Sequence, residues 1–180
     1  MSRQNQGNIV AVLVENKPGV LFQITNMLRR RDFNIESISA GAIDGGKLSR
    51  ITLVVEGDER TVDLVVKNLY NLYDTIHVDR LNSEEAIRRE VALIKINVSG
   101  LKARSELKRQ ARLFRARIVD VSSDSMVAEI TSEPKRIDTF LKVVEKYGVK
   151  EIARTGITAL TRGSKSRRAR VKRAGKIKLK

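Results

Sequence analysis

The segment Glu15-Asn16-Lys17-Pro18-Gly19-Val20-Leu21 contains the residue types from which an α-amino acid site can be built. It runs from an aliphatic stretch straight into a helix start, where backbone N–H groups and the positive end of the helix dipole can receive a carboxylate. Gly19 permits close approach to the backbone, and the Asn16 amide can accept from an ammonium and donate to a carboxylate. The same residues also make an ordinary helix cap with Pro18 in the first turn, and on this segment alone that plainer reading stands ahead. A second amide and a β-branched side chain stand together in Asn34-Ile35-Glu36-Ser37, which by itself is a loop entering a strand.

Residues for covalent or acid–base chemistry are missing from the pattern. Cysteine is absent, which removes thiolate nucleophiles, thiolate metal sites and disulfides. The single histidine, His77, lies between Ile76 and Val78 in a strand-like run and is assigned no role. Asp44-Gly45-Gly46 lacks the glycine spacing of a dinucleotide loop and joins two strands, so it offers no helix N-terminus to a pyrophosphate. The acidic pairs Glu84-Glu85 and Asp58-Glu59 sit in polar linkers and read as solvated surface. The expectation is a protein with no catalytic residues and no metal or cofactor of its own.

The elements that would position the Asn16 and Asn34 segments can be read from the apolar pattern. Ile9–Val14 is an unbroken aliphatic strand, followed by a helix with Leu21, Ile24 and Leu28 on one face and Val20 and Met27 beside them. Arg29, Arg30 and Arg31 close that helix with cations at its negative end. A hairpin follows, Ile35–Ile43 and Leu48–Val55 around Asp44-Gly45-Gly46, then a helix with Val62, Val65, Val66 and Leu69 on one face and a strand over Thr75–Leu81. After a polar linker, Asn82–Glu90, the order recurs. A strand over Val91–Val98 precedes a helix from about Ser105 to Phe114, strands at Ala116–Val121 and Met126–Thr131, a helix over Pro134–Tyr147 and a strand at Val149–Arg154.

The fold class is therefore α+β, two tandem ferredoxin-like βαββαβ units, with domains at 1–82 and 83–162 and a basic tail over 163–180. Each unit stacks two helices on one sheet face and leaves the other for something else to cover, which predicts oligomerisation. The formal charge is +15, but nine Lys or Arg and no acid fall between Gly163 and Lys180, so the body carries only +6. The tail is expected to be solvated. The apolar run near the N-terminus has six residues, too short for a signal or a membrane span, so a soluble, cytoplasmic protein is expected.

Taken in order, several segments resemble the acetolactate synthase small subunit family. They are Glu15 to Gly19, Asn34 to Ser37, Leu48-Ser49-Arg50, Glu90 to Ile96, Phe114 to Val121 and Ala153-Arg154-Thr155-Gly156, and the likeness runs from about Ile9 to Arg162. It implies an N-terminal ACT domain and a second ferredoxin-like domain. It implies side-by-side pairing of ACT domains in a homodimer, with valine or a related branched-chain amino acid bound at the interface. Carried over residue by residue, Asn16, Gly19, Val20 and Leu21 would come from one protomer and Asn34 and Ile35 from the facing one. Asn16 and Asn34 would hold the polar ends, Gly19 and the helix start the carboxylate, and Ile35 the apolar side chain. Pro18 removes one backbone donor from that loop.

The partner implied is a separate large catalytic subunit that uses thiamine diphosphate, with magnesium and FAD on that subunit. This chain would activate it and confer end-product inhibition in branched-chain amino acid biosynthesis. Two other readings remain from the residues. One is an RNA-binding ferredoxin-like module, which the basic tail suits and the scarcity of aromatics opposes, so nucleic acid is not the expected partner. The other is an ACT-type sensor for a different enzyme.

Overall fold

The structure, a computed structural model, describes residues 8–82 and 85–163. The expected basic tail lies outside the described residues, as does most of the N-terminal polar segment. The described chain forms two units. The first comprises the chain up to Ile87 together with Ile157 onward, and the second is Arg88–Gly156.

In the first unit, β1 (Asn8–Glu15), β2 (Ile35–Ile43), β3 (Leu48–Val55) and β4 (Thr75–Leu81) form an antiparallel sheet in the order β2-β3-β1-β4. Helices α1 (Val20–Arg30) and α2 (Glu59–Tyr70) supply the crossovers. Alternation along β1 sorts its side chains by face, because successive strand residues point to opposite sides. Val10, Val12 and Val14 meet Ile24, Leu28, Val62, Val65 and Leu69 of the helices in one core. Ile9 and Ala11 point the other way. The buried stripe of α1 is Val20, Ile24 and Leu28 at i, i+4 and i+8. Leu21, assigned to that stripe from sequence, is 46% exposed. Val20 takes its place because the helix begins one residue earlier in phase with Ile24. Asp58 caps α2, accepting from the Thr61 N–H at 2.8 Å and the Thr61 hydroxyl at 2.6 Å.

The second unit repeats the plan with β5 (Ala86–Asn97), β6 (Arg117–Val121), β7 (Ser125–Ser132) and β8 (Val149–Arg154) in the order β6-β7-β5-β8. Helices α3 (Gly100–Phe114) and α4 (Pro134–Glu145) cover one face, burying Leu107, Ala111, Ile137, Phe140 and Val144 against Ala92, Ile94, Ile96, Met126 and Ile130. The expected linker is shorter than Asn82–Glu90, since β5 is already a strand at Ala86. Helix α3 begins at Gly100, before the expected Ser105, because Ser99 in extended conformation serves as its N-cap residue. Its first turn carries exposed Leu101 and Lys102, which weaken the amphipathic signal there.

One strand has no counterpart in the sequence reading. β9 (Thr158–Thr161) pairs with β5 and clusters with the first unit. Ala159 on β9 packs with Ile9, Ala11, Val54, Leu81 and Ala86, and Ile157 leans on the same cluster. This segment is pinned by Arg50 Nη2, which donates to the Ala159 carbonyl at 3.2 Å, and by the Arg162 N–H on the Glu85 carbonyl at 2.8 Å. Part of the sheet face that was expected to await another molecule is thus covered by the chain's own later strand. The four-residue run Thr-Ala-Leu-Thr is too short and too weakly apolar to announce a strand.

Candidate functional site

The turn from β1 into α1 is held by its own polar groups. The Asn16 N–H donates to the Lys47 carbonyl at 2.9 Å, and its Nδ2 donates to the Gly46 carbonyl at 2.8 Å. Its Oδ1 accepts from the Ser49 hydroxyl at 2.9 Å. Asn16 therefore ties the β1–α1 loop to the β2–β3 hairpin, and both ends of its amide are engaged. The hairpin tip accommodates this with Gly45 and Gly46 at φ +64° and +86°, a region favouring glycine.

Gly19 precedes α1 at φ +86°, and no side chain caps that helix N-terminus. A Cβ at Gly19 would meet nothing within 4 Å, so its requirement is conformational and its surroundings are open. The Val20 N–H reaches the Lys17 carbonyl at 3.4 Å and the Gln23 N–H bonds back to Gly19 at 2.9 Å. Backbone N–H groups at a helix start that no side chain caps are of the kind that can donate to a carboxylate, and the space over the glycine is open. The Lys17 side chain is engaged elsewhere. Its ammonium is bound by Glu15 and lies 3.5 Å from Asp74, and the Glu15 hydrogen bond, then Asp74, holds its pKa above the usual lysine value.

Val20 is buried in the core, whereas Leu21 is half exposed beside the loop. Phe22, 69% exposed on α1, was not singled out from sequence, because an aromatic after the helix start reads there as part of the amphipathic face. Asn34 donates through Nδ2 to Glu56 Oε2 at 2.8 Å, and the Glu56 N–H donates to the Asn34 carbonyl at 3.2 Å. Ile35 is half-buried and packs against the first core. Glu56, which engages Asn34, carried no signal in the sequence, and Ser49, which engages Asn16, entered only as part of the Leu48-Ser49-Arg50 segment.

Asn16 and Gly19 stand together, and Asn34 and Ile35 stand together, but the two pairs lie at opposite ends of β2. Nine strand residues separate them, roughly 30 Å at about 3.3 Å per residue. One protomer cannot bring both to a single small ligand. β2 is an edge strand, paired on one side with β3. Antiparallel apposition of β2 from two copies would set the Asn34 end of one beside the Asn16 end of the other.

His77 has ordinary partners. Its Nε2 lies 3.0 Å from Asp79 Oδ1, and the Tyr70 hydroxyl beside the ring donates to the Val78 carbonyl at 2.9 Å. Among the described residues no cluster of His, Cys, Asp and Glu could hold a metal ion. No described helix is long and apolar enough to cross a membrane.

Comparison with known proteins gives concordant matches over both units. Residues 10–77 match the model of the AHAS small subunit-like ACT domain, and residues 89–163 match that of the small subunit of acetolactate synthase. A probable acetolactate synthase small subunit from Archaeoglobus fulgidus is 46% identical over 156 residues, covering 87% of this chain and 97% of the relative. The acetolactate synthase small subunit of Bacillus subtilis is 39% identical over 160 residues, covering 88% and 92%. The crystal structure of the acetolactate synthase small subunit from Thermotoga maritima superposes with a TM-score of 0.82 at 35% identity, covering 88% of this chain and 99% of that one.

Proposed function

The chain belongs to the family of acetolactate synthase small subunits, and from that premise we propose that it senses valine or a related branched-chain amino acid and regulates a catalytic large subunit. The observation that carries the sensing part is the uncapped start of α1 at Gly19, next to Asn16, which is tied to the hairpin that ends the edge strand β2. The effector's carboxylate would lie on the α1 N-terminus, and its ammonium would meet polar groups around Asn34 and Glu56 of a second copy. Leu21 and Ile35 would flank its side chain. Because each copy holds only half of these groups, ligand binding and pairing of ACT domains are one equilibrium. An effector tightens the dimer by as much as it prefers the paired state.

On this reading the transferase chemistry resides on the large subunit, which carries thiamine diphosphate, magnesium and FAD. This chain contributes activation and feedback inhibition in the cytoplasm. The RNA-binding alternative gains no support from the strands, since none of the nine described contains a Phe, Tyr or Trp on which a base could stack.

The test is reconstitution with the large subunit from the same source, following acetolactate formation with and without valine, leucine and isoleucine. Activation on mixing and inhibition by one of the three are expected. A large subunit indifferent to this chain would refute the regulatory reading, and unchanged rates with all three amino acids would refute the sensing reading.

A further inference from the structure

Helix α3 of the second unit buries Leu107 and Ala111 and turns a different set outward. Lys102, Arg109 and Arg112 recur at i, i+7 and i+10 on the face away from the core, with Lys108 beside them, and all four are exposed. Leu101 at the start of the helix and Leu113 near its end flank this ridge, 85% and 64% exposed. Lys102, Lys108 and Arg112 join no ion pair among the described residues. The helix's only acid, Glu106, is engaged on the α4 side, where Lys146 Nζ donates to it at 2.8 Å. Lys146 first, with Arg109 a lesser influence, keeps its carboxyl below the usual range. Arg104 is likewise committed, its guanidinium donating to the carbonyls of Ser122 and Ser123. Three of the ridge's four cations are therefore without a counter-charge among the described residues, on a helix fixed at both flanks.

We propose that this face docks on an acidic surface of a partner protein, with carboxylates opposite the ridge and apolar contacts for Leu101 and Leu113. Resting on the functional reading above, that partner is the catalytic large subunit, and α3 is the contact through which the second unit engages it. Lys108 and Arg112 stand at i and i+4, and Arg109 and Arg112 at i and i+3, like-charge neighbours that work against the helix until counter-charges arrive. A second copy does not supply them, because a two-fold contact would set the same cations against each other. A nucleic acid would meet the cations but leave both leucines without apolar contact, and the strands of this unit offer no aromatic to stack on.

The experiment measures binding of the full chain to the purified large subunit between 50 and 400 mM KCl. It compares the wild type, Lys108→Glu/Arg109→Glu/Arg112→Glu, Lys108→Gln/Arg109→Gln/Arg112→Gln and Leu101→Ser/Leu113→Ser. Wild-type affinity should fall steeply with salt. The charge reversal should weaken binding by about tenfold or more at the lowest salt and flatten the salt dependence, the neutral triple variant should fall between, and the leucine pair should weaken binding with its salt slope intact. Thermal unfolding and amino-acid binding should match wild type in all three, which separates lost docking from misfolding. A wild type that binds while the charge reversal binds equally well overturns this proposal alone. A wild type that does not bind the large subunit overturns the functional reading and this proposal together. Tighter binding of a salt-matched RNA through the same three cations would overturn the choice of a protein partner.

Discussion

Arg154 holds Glu90 with two parallel hydrogen bonds, Nε to Oε1 at 2.7 Å and Nη2 to Oε2 at 2.6 Å, and donates its remaining nitrogen to Asp138 Oδ1 at 2.7 Å. Glu90 is buried, and the Glu90 hydrogen bonds, followed by Asp138, raise the Arg154 pKa. A buried pair of this kind stabilises through its completeness, because losing one partner strands the other charge away from water.

Arg154→Met is expected to destabilise the second unit by about 3–5 kcal/mol in urea unfolding. The double variant Glu90→Leu/Arg154→Met should recover most of that loss, since no charge is then left unpaired. If the double variant is as unstable as the single one, stranded charge is not the cause.

Asn34→Ala should weaken valine binding by roughly tenfold or more, about the value of one polar contact to a charged group, and leave thermal stability near wild type. Asn16→Ala should lower both, because its amide also ties the loop to Gly46 and Ser49. Titration calorimetry and melting curves on the same samples check this. Equal stability of the two variants would mean that Asn16 does not brace the turn.

Ala159→Glu is predicted to unfold the first unit selectively. It forces a carboxylate against Ile9, Ala11, Val54 and Leu81, at a penalty of several kcal/mol. Amide exchange should speed in β1 and β3 while α3 and α4 stay protected. Uniform exchange across both units would show that the β9 contact is not specific to the first.

Acid should loosen α2 through its cap. The Thr61 hydroxyl, then the Thr61 N–H, holds the Asp58 carboxyl below the usual carboxylate range. Folding therefore favours the ionised form. That contribution is complete above the unfolded value of about 3.9 and disappears as pH falls through the lower folded value. Melting temperature, followed from pH 7 to pH 2, should drop less steeply below about pH 4 in Asp58→Asn than in wild type. Parallel acid limbs in the two proteins would remove Asp58 from the account.

Most of the architecture was legible because β-branched runs and helical spacing repeat in the same order in both halves. The reading slipped where local pattern and tertiary contact part company. Leu21 and Val20 are both apolar neighbours at a helix start, and only the phase set by Ile24 and Leu28 decides which is buried. β9 owes its place to Ala159 fitting a cluster that comes from residues far earlier in the chain, and a four-residue segment cannot encode that visibly. At the candidate site, glycine at Gly19 was legible from the turn it makes. The engagement of Asn16 by Ser49 and of Asn34 by Glu56 was not, because hydrogen bonds across 33 and 22 residues leave no mark on spacing.

The placement of Ala159 also sets an order of events during synthesis. Every other fully buried residue of its cluster has been translated by Ala86, yet the ribosome must add some 70 residues before the lid strand exists. At about 5–20 residues per second that interval lasts roughly 4–15 s. Throughout it the nascent first unit presents Ile9, Ala11, Val54 and Leu81 uncovered, a binding site for chaperones or for its own siblings on a polysome. A circular permutant starting at Ile157 would deliver the lid first and abolish that window.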